Sequence, residues 1–401
     1  MVRFTVLLIA STLGSVAEVT PGELLIAEMN CVACHSPSDT VKLRLASRPA
    51  PRLGPDGVKV TPQWLRAFLA DPQKTKPGTL MPDMFQALPP DKKVEVVESL
   101  THFLVKLQGE RAATEPAANI DEGKERYHAL GCVQCHAPFD APAGRDEEMV
   151  GIAAGSVPLG VATKYSVAEL SRFLMDPLKS RPGGRMPSLG LSQSEAESIS
   201  AYLLREQLPD EAPFALDEAK AAVGAQYFVM FQCGNCHEGT PNPFTVSNLS
   251  PSARKFGELR PRQPTGCLSA KPKGNVPKFE LTDRQKTVII AALKSQEILS
   301  LPLTDEQQIR RTMTALNCYA CHSRGRSGGI AGLRREYVSE RDKLPPNLNG
   351  VGSRLTGDQL LDVLTNGRAP HSLKSLRMPV FGKENVSHLP ALLEKADALK
   401  Q

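Results

Sequence analysis

Cys31-Val-Ala-Cys34-His35 is the first of four copies of the pattern C-x-x-C-H in a chain of 401 residues. The other copies are Cys132-Val-Gln-Cys135-His136, Cys233-Gly-Asn-Cys236-His237 and Cys318-Tyr-Ala-Cys321-His322. Their first cysteines are 101, 101 and 85 residues apart. A pattern that recurs at the spacing of a small domain indicates a repeated structural unit.

The likeness between the repeats extends beyond the cysteines. Repeat one carries Asp71-Pro72 and then Met81-Pro82, and repeat two carries Asp176-Pro177 and then Met186-Pro187 at the same separation. Repeat four has Met378-Pro379 at the corresponding place. We expect every repeat to have a helix before its cysteines, a loop rich in Pro and Gly, a short amphipathic helix, the Met-Pro loop and a closing helix.

The periodicity of apolar residues supports helices throughout. The first helix is expected to begin at Thr20-Pro21, a capping residue followed by proline. The closing helix of repeat one places Val97, Leu100, Leu104 and Leu107 on one face. No alternating β-branched run predicts a sheet. The sequence thus predicts an all-α fold of four tandem helical domains. The expected segments are a signal peptide at 1–17 and domains at 18–115, 116–210, 211–301 and 302–401.

The N-terminus has the pattern of a secretory signal peptide. Arg3 precedes an apolar run from Phe4 to Leu13, and Ser15-Val16-Ala17 matches a cleavage site. The run is far shorter than the roughly 20 residues that span a bilayer. We therefore expect a periplasmic or otherwise exported protein without stable membrane insertion.

The motif itself predicts covalent haem. In C-x-x-C-H the two thiols add to the two vinyl groups of haem c, and the adjacent histidine becomes the proximal iron ligand. Zinc sites of two C-x-x-C pairs, thioredoxin-like redox pairs and structural disulfides are the alternatives. Thioredoxin-like pairs need a βαβ context that is absent here, and structural disulfides leave the adjacent histidines without a role. We expect four covalent haems, with His35, His136, His237 and His322 as iron ligands.

The methionines that precede proline are candidate sixth ligands. Met81, Met186 and Met378 follow their proximal histidines by 46, 50 and 56 residues. Met/His ligation raises the reduction potential and favours electron transfer. Methionine also fills gaps in ordinary cores, and Met84 competes with Met81 for the same role.

By these motifs the chain resembles the class I c-type cytochromes. The resemblance covers nearly the whole mature chain and implies small all-α domains, each with its haem in a hydrophobic cleft. The last third, with LNCYACHSRGRSGG, LPPNLNGVGSRL and RMPVFG, is also similar to the fused multihaem cytochromes of planctomycete-type bacteria.

Repeat three departs from this pattern. It aligns Val276-Pro277 with Met186-Pro187, and valine cannot bind iron. The third haem is therefore expected to be five-coordinate, to bind water or to take a ligand from elsewhere. Cys267 could supply a thiolate, or it could be a buried apolar residue or form an intermolecular disulfide. Four further histidines are expected at the surface by default. They are His102, His128, His371 and His388.

Charge and motifs narrow the function. The formal net charge of +5 is small, and the one cluster of arginines, between Arg324 and Arg341, is interrupted by glycine, so nucleic acid is not an expected partner. We expect an electron carrier between exported redox proteins rather than an enzyme. The alternatives are a peroxidase-like haem enzyme with the third haem as an open catalytic site, and a module that binds a small gas.

Overall fold

The computed structural model describes residues 19–57, 59–111, 116–136, 159, 161, 163–206, 214–238, 253–274, 276–330, 344–367 and 376–398. The expected signal peptide at 1–17 and His371 lie outside these residues.

The described chain is mainly helical, which confirms the coarse fold class. Repeat one contains α1 (Pro21–Glu28), α2 (Asp39–Leu45), α3 (Pro62–Ala70), α4 (Pro72–Thr75) and α5 (Pro90–Gln108). Repeat two contains α6 (Ile120–Ala129), α7 (Val167–Met175), α8 (Pro177–Ser180) and α9 (Gln193–Leu203). Repeat three contains α10 (Glu218–Met230), α11 (Asp283–Lys294) and α12 (Gln296–Leu299). Repeat four contains α13 (Asp305–Ala315), α14 (Val351–Arg354), α15 (Gly357–Asn366), α16 (Lys383–Val386) and α17 (Leu389–Ala398). A short antiparallel pair, β1 (Ser323–Arg324) with β2 (Ser327–Gly328), is the one sheet in the described residues.

Local sequence explains where these helices begin and end. Thr20 caps α1, as the sequence predicts, and it forms a capping box with Glu23. Asp71 ends α3 and accepts a hydrogen bond from the Lys74 amide to start α4, and Asp176 does the same between α7 and α8. Val97, Leu100 and Leu104 are buried as expected for the apolar face of α5.

Repeat three lacks one predicted element in its described part. Residues 253–274 contain no α-helix, only the 3₁₀ turns Phe256–Glu258 and Gly266–Leu268. The expectation of a short amphipathic helix before the Met-Pro position is therefore wrong for these residues. None of the described helices combines the length and the apolar character needed to cross a membrane.

Helices of repeats one and three pack across the repeats. The α1 residue Gly22 lies against α11, because a Cβ there would be 2.1 Å from the Val288 carbonyl oxygen. The α10 residue Gly224 lies in the same way against α5, with the Ser99 carbonyl oxygen 2.0 Å from an added Cβ. Each leading helix thus uses the closing helix of the other repeat.

Repeats two and four pack within themselves. Gly123 in α6 lies against α9, where the Ser198 carbonyl oxygen would be 1.9 Å from an added Cβ. In repeat four, Ile309 and Met313 of α13 share one buried cluster with Leu389 and Leu393 of α17. In the part of the chain that the structure describes, the exchange of helices therefore involves repeats one and three alone.

The exchange defines four packed units. Unit A is residues 19–45 with 253–299, and unit B is residues 50–108 with 214–238. Unit C is the described part of 116–206, whose buried residues form one continuous cluster with those of unit B, and unit D is the described part of 303–398. The contiguous segments 18–115 and 211–301, expected as separate domains, thus exchange halves. The physical basis is that homologous repeats offer equivalent helix surfaces, so a leading helix fits either closing helix.

The units are joined in pairs by equivalent contacts. Asp83 in unit B and Lys278 in unit A form an antiparallel bridge with two amide-to-carbonyl hydrogen bonds of 2.9 Å. Ser188 in unit C and Val380 in unit D form the matching bridge, with hydrogen bonds of 2.9 and 2.8 Å. Each of these four residues lies two positions after Met81, Val276, Met186 or Met378. Val276 thus has the same position relative to its bridge as each of the three methionines.

Candidate functional site

Each C-x-x-C-H motif occupies the same local conformation. The residue before the first cysteine has a positive φ, and the two cysteines then lie on a 3₁₀ turn. These preceding residues are Asn30, Gly131, Gln232 and Asn317. The sharp turn redirects the chain after the leading helix, so that both thiols of a motif lie on one short turn.

No disulfide joins the nine cysteines, which are all partly buried. Burial raises the pKa of Cys132, Cys233 and Cys318 to about 12. A buried thiol with a high pKa has little thiolate at neutral pH, which is unlike the reactive cysteine of a redox pair.

Three of the four motif histidines make the same type of hydrogen bond, from the ring Nδ1 to a backbone carbonyl oxygen. The Nδ1 of His237 lies 2.8 Å from the Pro51 carbonyl oxygen, and the Nδ1 of His322 lies 2.9 Å from the Pro346 carbonyl oxygen. The Nδ1 of His35 lies 2.7 Å from the Arg254 carbonyl oxygen. A carbonyl oxygen only accepts, so Nδ1 donates and the neutral ring presents Nε2 as a lone pair for a metal.

These hydrogen bonds follow the exchange of halves. His322 binds a carbonyl of its own repeat, whereas His237 binds one from repeat one and His35 binds one from repeat three. In all three cases the residue two positions after the carbonyl donates its amide back to the residue after the histidine. The pairs are Leu53 to Glu238, Phe256 to Ser36 and Leu348 to Ser323.

Burial also keeps two of these rings neutral. It lowers the pKa of His237 and His322 below the usual histidine value, and the hydrogen bond from each ring to its backbone carbonyl offsets only part of that effect. A neutral imidazole is the form that binds metal. For His136, the residues that directly follow it lie outside the described part of the chain.

One large cavity is lined by all four motifs. Its volume is about 2440 Å³, and its walls are mainly apolar. Divided among four sites, this is about 610 Å³ each, within the roughly 300–1,000 Å³ usual for ligand and cofactor pockets. Met81, Met186 and Met378 line it, as does Val276, so each aligned position borders the same space.

At the junction of units B and C lie buried cations that have no carboxylate partner among the described residues. Lys164 is 7% exposed, and its Nζ lies over the Trp64 ring at 4.5 Å and the Tyr165 ring at 4.8 Å. The Nε of Arg181 is buried without a hydrogen-bond partner. Burial, with the nearby charges of Arg181, Lys164 and Arg185, lowers the pKa of Lys76 to about 7.

An anionic ligand would stabilise this cluster of buried cations. Among the described residues, Lys76, Lys164 and Arg181 form no ion pair with a carboxylate. Buried charges are costly unless they are paired. A ligand that is mostly apolar but carries carboxylates would fill the cavity and pair these cations, and a haem with its two propionates has that chemistry.

The described residues do not form a metal site by themselves. No three His, Cys, Asp or Glu side chains of the described ranges are grouped so that they could hold a metal ion. A haem iron needs only one or two ligands from the protein, because the porphyrin supplies the others. The single histidine of each motif is sufficient for that requirement.

The leftover histidines are engaged elsewhere. His102 is only 3% exposed, which corrects the expectation of a surface residue: its Nε2 lies 3.0 Å from Glu98 and its Nδ1 accepts from the Asp217 amide at 3.1 Å. The Nε2 of His388 pairs with the Thr312 hydroxyl at 2.9 Å, and the Nδ1 of His128 donates to the Lys124 carbonyl at 2.7 Å.

Two further residues of the sequence analysis have definite surroundings. Cys267 is partly buried against the core of unit A, which also contacts Cys31 and Phe279. Arg324, from the arginine cluster, is buried and donates to Asp397 at 2.9 Å and Glu306 at 3.1 Å. Arg324 is thus a structural residue.

Sequence reasoning overlooked one recurring residue. Gly22, Gly123 and Gly224 each lie nine residues before the first cysteine of a motif, and each allows the closest approach of a leading and a closing helix. The equal spacing is visible in the sequence and could have been found. The cations at the junction of units B and C left no such signal, because they come from separate segments.

No family model, no curated protein and no solved structure matches this chain.

Proposed function

We propose that this protein is an exported tetrahaem c-type cytochrome that transfers electrons between redox proteins. The observation that carries the proposal is the single apolar cavity lined by four C-x-x-C-H motifs. Haem c supplies reversible one-electron chemistry at its iron when bound. The residues of this chain would hold it by two thioethers and one histidine in each unit.

The protein's residues favour transfer over chemistry on a substrate. Met81, Met186 and Met378 border the cavity at aligned positions, and a methionine ligand raises the reduction potential and closes the iron to substrates. The imidazole Nδ1 hydrogen bonds orient the rings and make Nε2 the ligating atom. Lys164 and Arg181 would offset the charge of propionates.

The arrangement of the motifs supports passage of electrons within the chain. The Nδ2 of Asn317, next to Cys318, lies 3.7 Å from the Sγ of Cys135, so the motifs of units C and D adjoin. The bridge between Asp83 and Lys278 brings the corresponding loops of units A and B together. Cofactors held in these positions would be near neighbours in one continuous space.

Two measurements on the purified full-length protein test the proposal. Intact mass should give four haem adducts on a chain that begins near Glu18, and a reductive titration should take up four electrons per chain. Fewer adducts, or metal in their place without haem, would exclude a tetrahaem cytochrome.

One observation favours a second candidate, a site that binds a small ligand such as peroxide or a gas. Val276 borders the cavity where the other repeats have methionine. Turnover of peroxide well above that of a methionine-ligated cytochrome would favour this candidate over simple transfer.

A further inference from the structure

We infer that the haem site without a methionine is the one attached to Cys31 and Cys34, and that Met81 belongs to the site attached to Cys233 and Cys236. Chain order alone assigns Val276 to His237 and Met81 to His35. The exchange of halves between repeats one and three reverses both assignments. This inference rests on the proposed attachment of haem to all four motifs.

The first line of support is the wall around the third motif. Phe231, two residues before Cys233, packs edge-on against Phe85, four residues after Met81, with ring centroids 4.8 Å apart. Cys233 and Met81 are packed against the buried cluster that units B and C share. The His237 ring donates to the Pro51 carbonyl, which precedes Met81 in repeat one. The third motif therefore lies within unit B with the Met81 loop.

The second line of support is the wall around the first motif. Cys31, Cys267 and Phe279 pack against one cluster made of α1, α2 and α11 residues. Phe279 follows Val276 by three residues. The His35 ring donates to the Arg254 carbonyl of repeat three. The first motif therefore lies within unit A with the Val276 loop.

The third line of support is the comparison with unit D, which is formed by one repeat. In unit D the His322 ring binds Pro346, and the loop of Met378 belongs to the same repeat. The His237–Pro51 and His35–Arg254 contacts have the same register of flanking amide hydrogen bonds as His322–Pro346. The exchanged units are thus built like an ordinary unit, and the distal position in each comes from the repeat that supplies the carbonyl.

The consequence is chemical. In unit A the aligned position is a valine, which offers iron no electron pair, so that haem would be the one to accept a small exogenous ligand such as carbon monoxide. In unit B the third motif would carry ordinary Met/His coordination. The haem site that can bind a small ligand is therefore the one that contains the first motif.

Marking one haem at a time tests the assignment. Removing one cysteine of a motif leaves the haem attached by a single thioether, and the remaining vinyl group shifts the absorption of that haem to longer wavelength. Cys34→Ala marks the first haem, Cys236→Ala the third and Cys135→Ala the second. Cys31→Ala and Cys233→Ala are substitutes if a marked protein fails to accumulate.

Each marked protein is combined with Met81→Ala, reduced and exposed to carbon monoxide. When Met81 is present, the band marked by Cys236→Ala should not respond to carbon monoxide. We expect Met81→Ala to make that band respond. Met186→Ala with Cys135→Ala is the matched control in an unexchanged unit. A response of the Cys34→Ala band that depends on Met81→Ala would overturn the inference.

The wild-type distal positions give a second readout. With Met81 present, the Cys34→Ala band should respond to carbon monoxide, and adding Val276→Met should abolish that response. A response confined to the Cys236→Ala band would contradict the inference. A failure of the underlying proposal is distinguishable, because fewer than four haems would then be present by mass before any ligand is added.

Discussion

The Nδ1 of His237 donates to the carbonyl oxygen of Pro51 at 2.8 Å, across 186 residues of sequence. Its counterpart in unit D, from His322 to Pro346, spans 24 residues. The same histidine-to-carbonyl hydrogen bond therefore forms within one repeat in unit D and between two repeats in unit B. The predictions below follow from that exchange and from the groups around the cavity.

Adding a methyl group to a leading helix should loosen the closing helix that it contacts. An added Cβ at Gly22 would lie 2.1 Å from the Val288 oxygen, so Gly22→Ala should lower the protection of α11 amides by about 2 kcal/mol, roughly a 30-fold faster exchange. Gly224→Ala should do the same to α5. Hydrogen exchange followed by mass spectrometry measures both.

The control for this pair is Gly357→Ala, where an added Cβ meets no atom within 4 Å and exchange should stay unchanged. If Gly22→Ala loosened α5 and left α11 protected, the two repeats would be packed separately.

Met81 should be a sixth ligand and Met84 should not. The bridge register places Met81 at the position of Met186 and Met378, and places Met84 where the other repeats have Leu189, Phe279 and Phe381. Met81→Ala should therefore remove about a third of the absorbance due to methionine bound to iron, since three methionines contribute. Met84→Ala should leave that absorbance intact. The opposite result in an optical spectrum of the oxidised protein would exchange the two assignments.

The buried cations should raise the reduction potential of a nearby haem. Lys164 has no carboxylate partner among the described residues, and burial, with the nearby charge of Arg181, lowers the pKa of its ammonium. A haem propionate beside it would favour the charged form, and that charge would stabilise the reduced, more negative form of the cofactor. Lys164→Met should lower at least one potential by an amount on the order of 50 mV, as expected for one charge several ångströms away in a partly buried site. Spectroelectrochemical titration measures the change.

Lys179→Met is the matched control for Lys164→Met. Its ammonium is exposed and pairs with Asp56 at 3.1 Å on the surface. Its potential shift should be far smaller, because solvent and salt screen that charge. Equal shifts for the two variants would mean that Lys164 is not in the neighbourhood of a haem.

The ionised Glu98 carboxylate should stabilise the folded protein at neutral pH and lose this effect at strongly acidic pH. The hydrogen bond from Arg66 lowers the pKa of Glu98 to about 2, against a partial rise from burial. A depressed carboxyl pKa stabilises the fold fully above pH 4.5, and this contribution is lost as the pH falls through 2. Glu98→Gln should thus destabilise the protein by about 2 kcal/mol at pH 7 after allowance for its partial exposure.

Urea denaturation between pH 7 and pH 2 checks this dependence. The difference between wild type and Glu98→Gln should shrink as the pH is lowered below 4.5. Glu394→Gln, on the exposed face of α17, is the control and should show little difference at any pH. A Glu98→Gln effect of constant size would mean that the ion pair to Arg66 does not contribute.

The local sequence predicts where the helices begin and end, but it does not predict which helices pack against each other. The start of α1 at Thr20, the end of α3 at Asp71 and the buried face of α5 all follow from capping and periodicity. The exchange of halves does not, because α1 and α10 both end three residues before the first cysteine of their motifs and both carry a glycine nine residues before it. Nothing local tells one closing helix from the other.

The candidate site divides in the same way. The four motifs and the aligned methionines could be recognised in the sequence, because the haem attachment and ligation proposed here would require fixed residue types at fixed spacing. The burial of His102 was not, because it depends on Asp217 and Phe214 from another repeat. The same holds for Lys164, whose cationic neighbour Arg181 lies in a different loop.

The pairing of α1 with α11 also bears on how the chain is made. A ribosome completes α1 at Glu28 and reaches α11 at Asp283 only about 255 residues later. At roughly 5–20 residues per second, that delay is about 13–50 s. Unit D needs no such interval, because its sequence is continuous. Residues 19–45 therefore wait for nearly two thirds of the 401 residues before the core of unit A can close, and until then the Cys31 thiol stays accessible to any enzyme that would attach a haem to it.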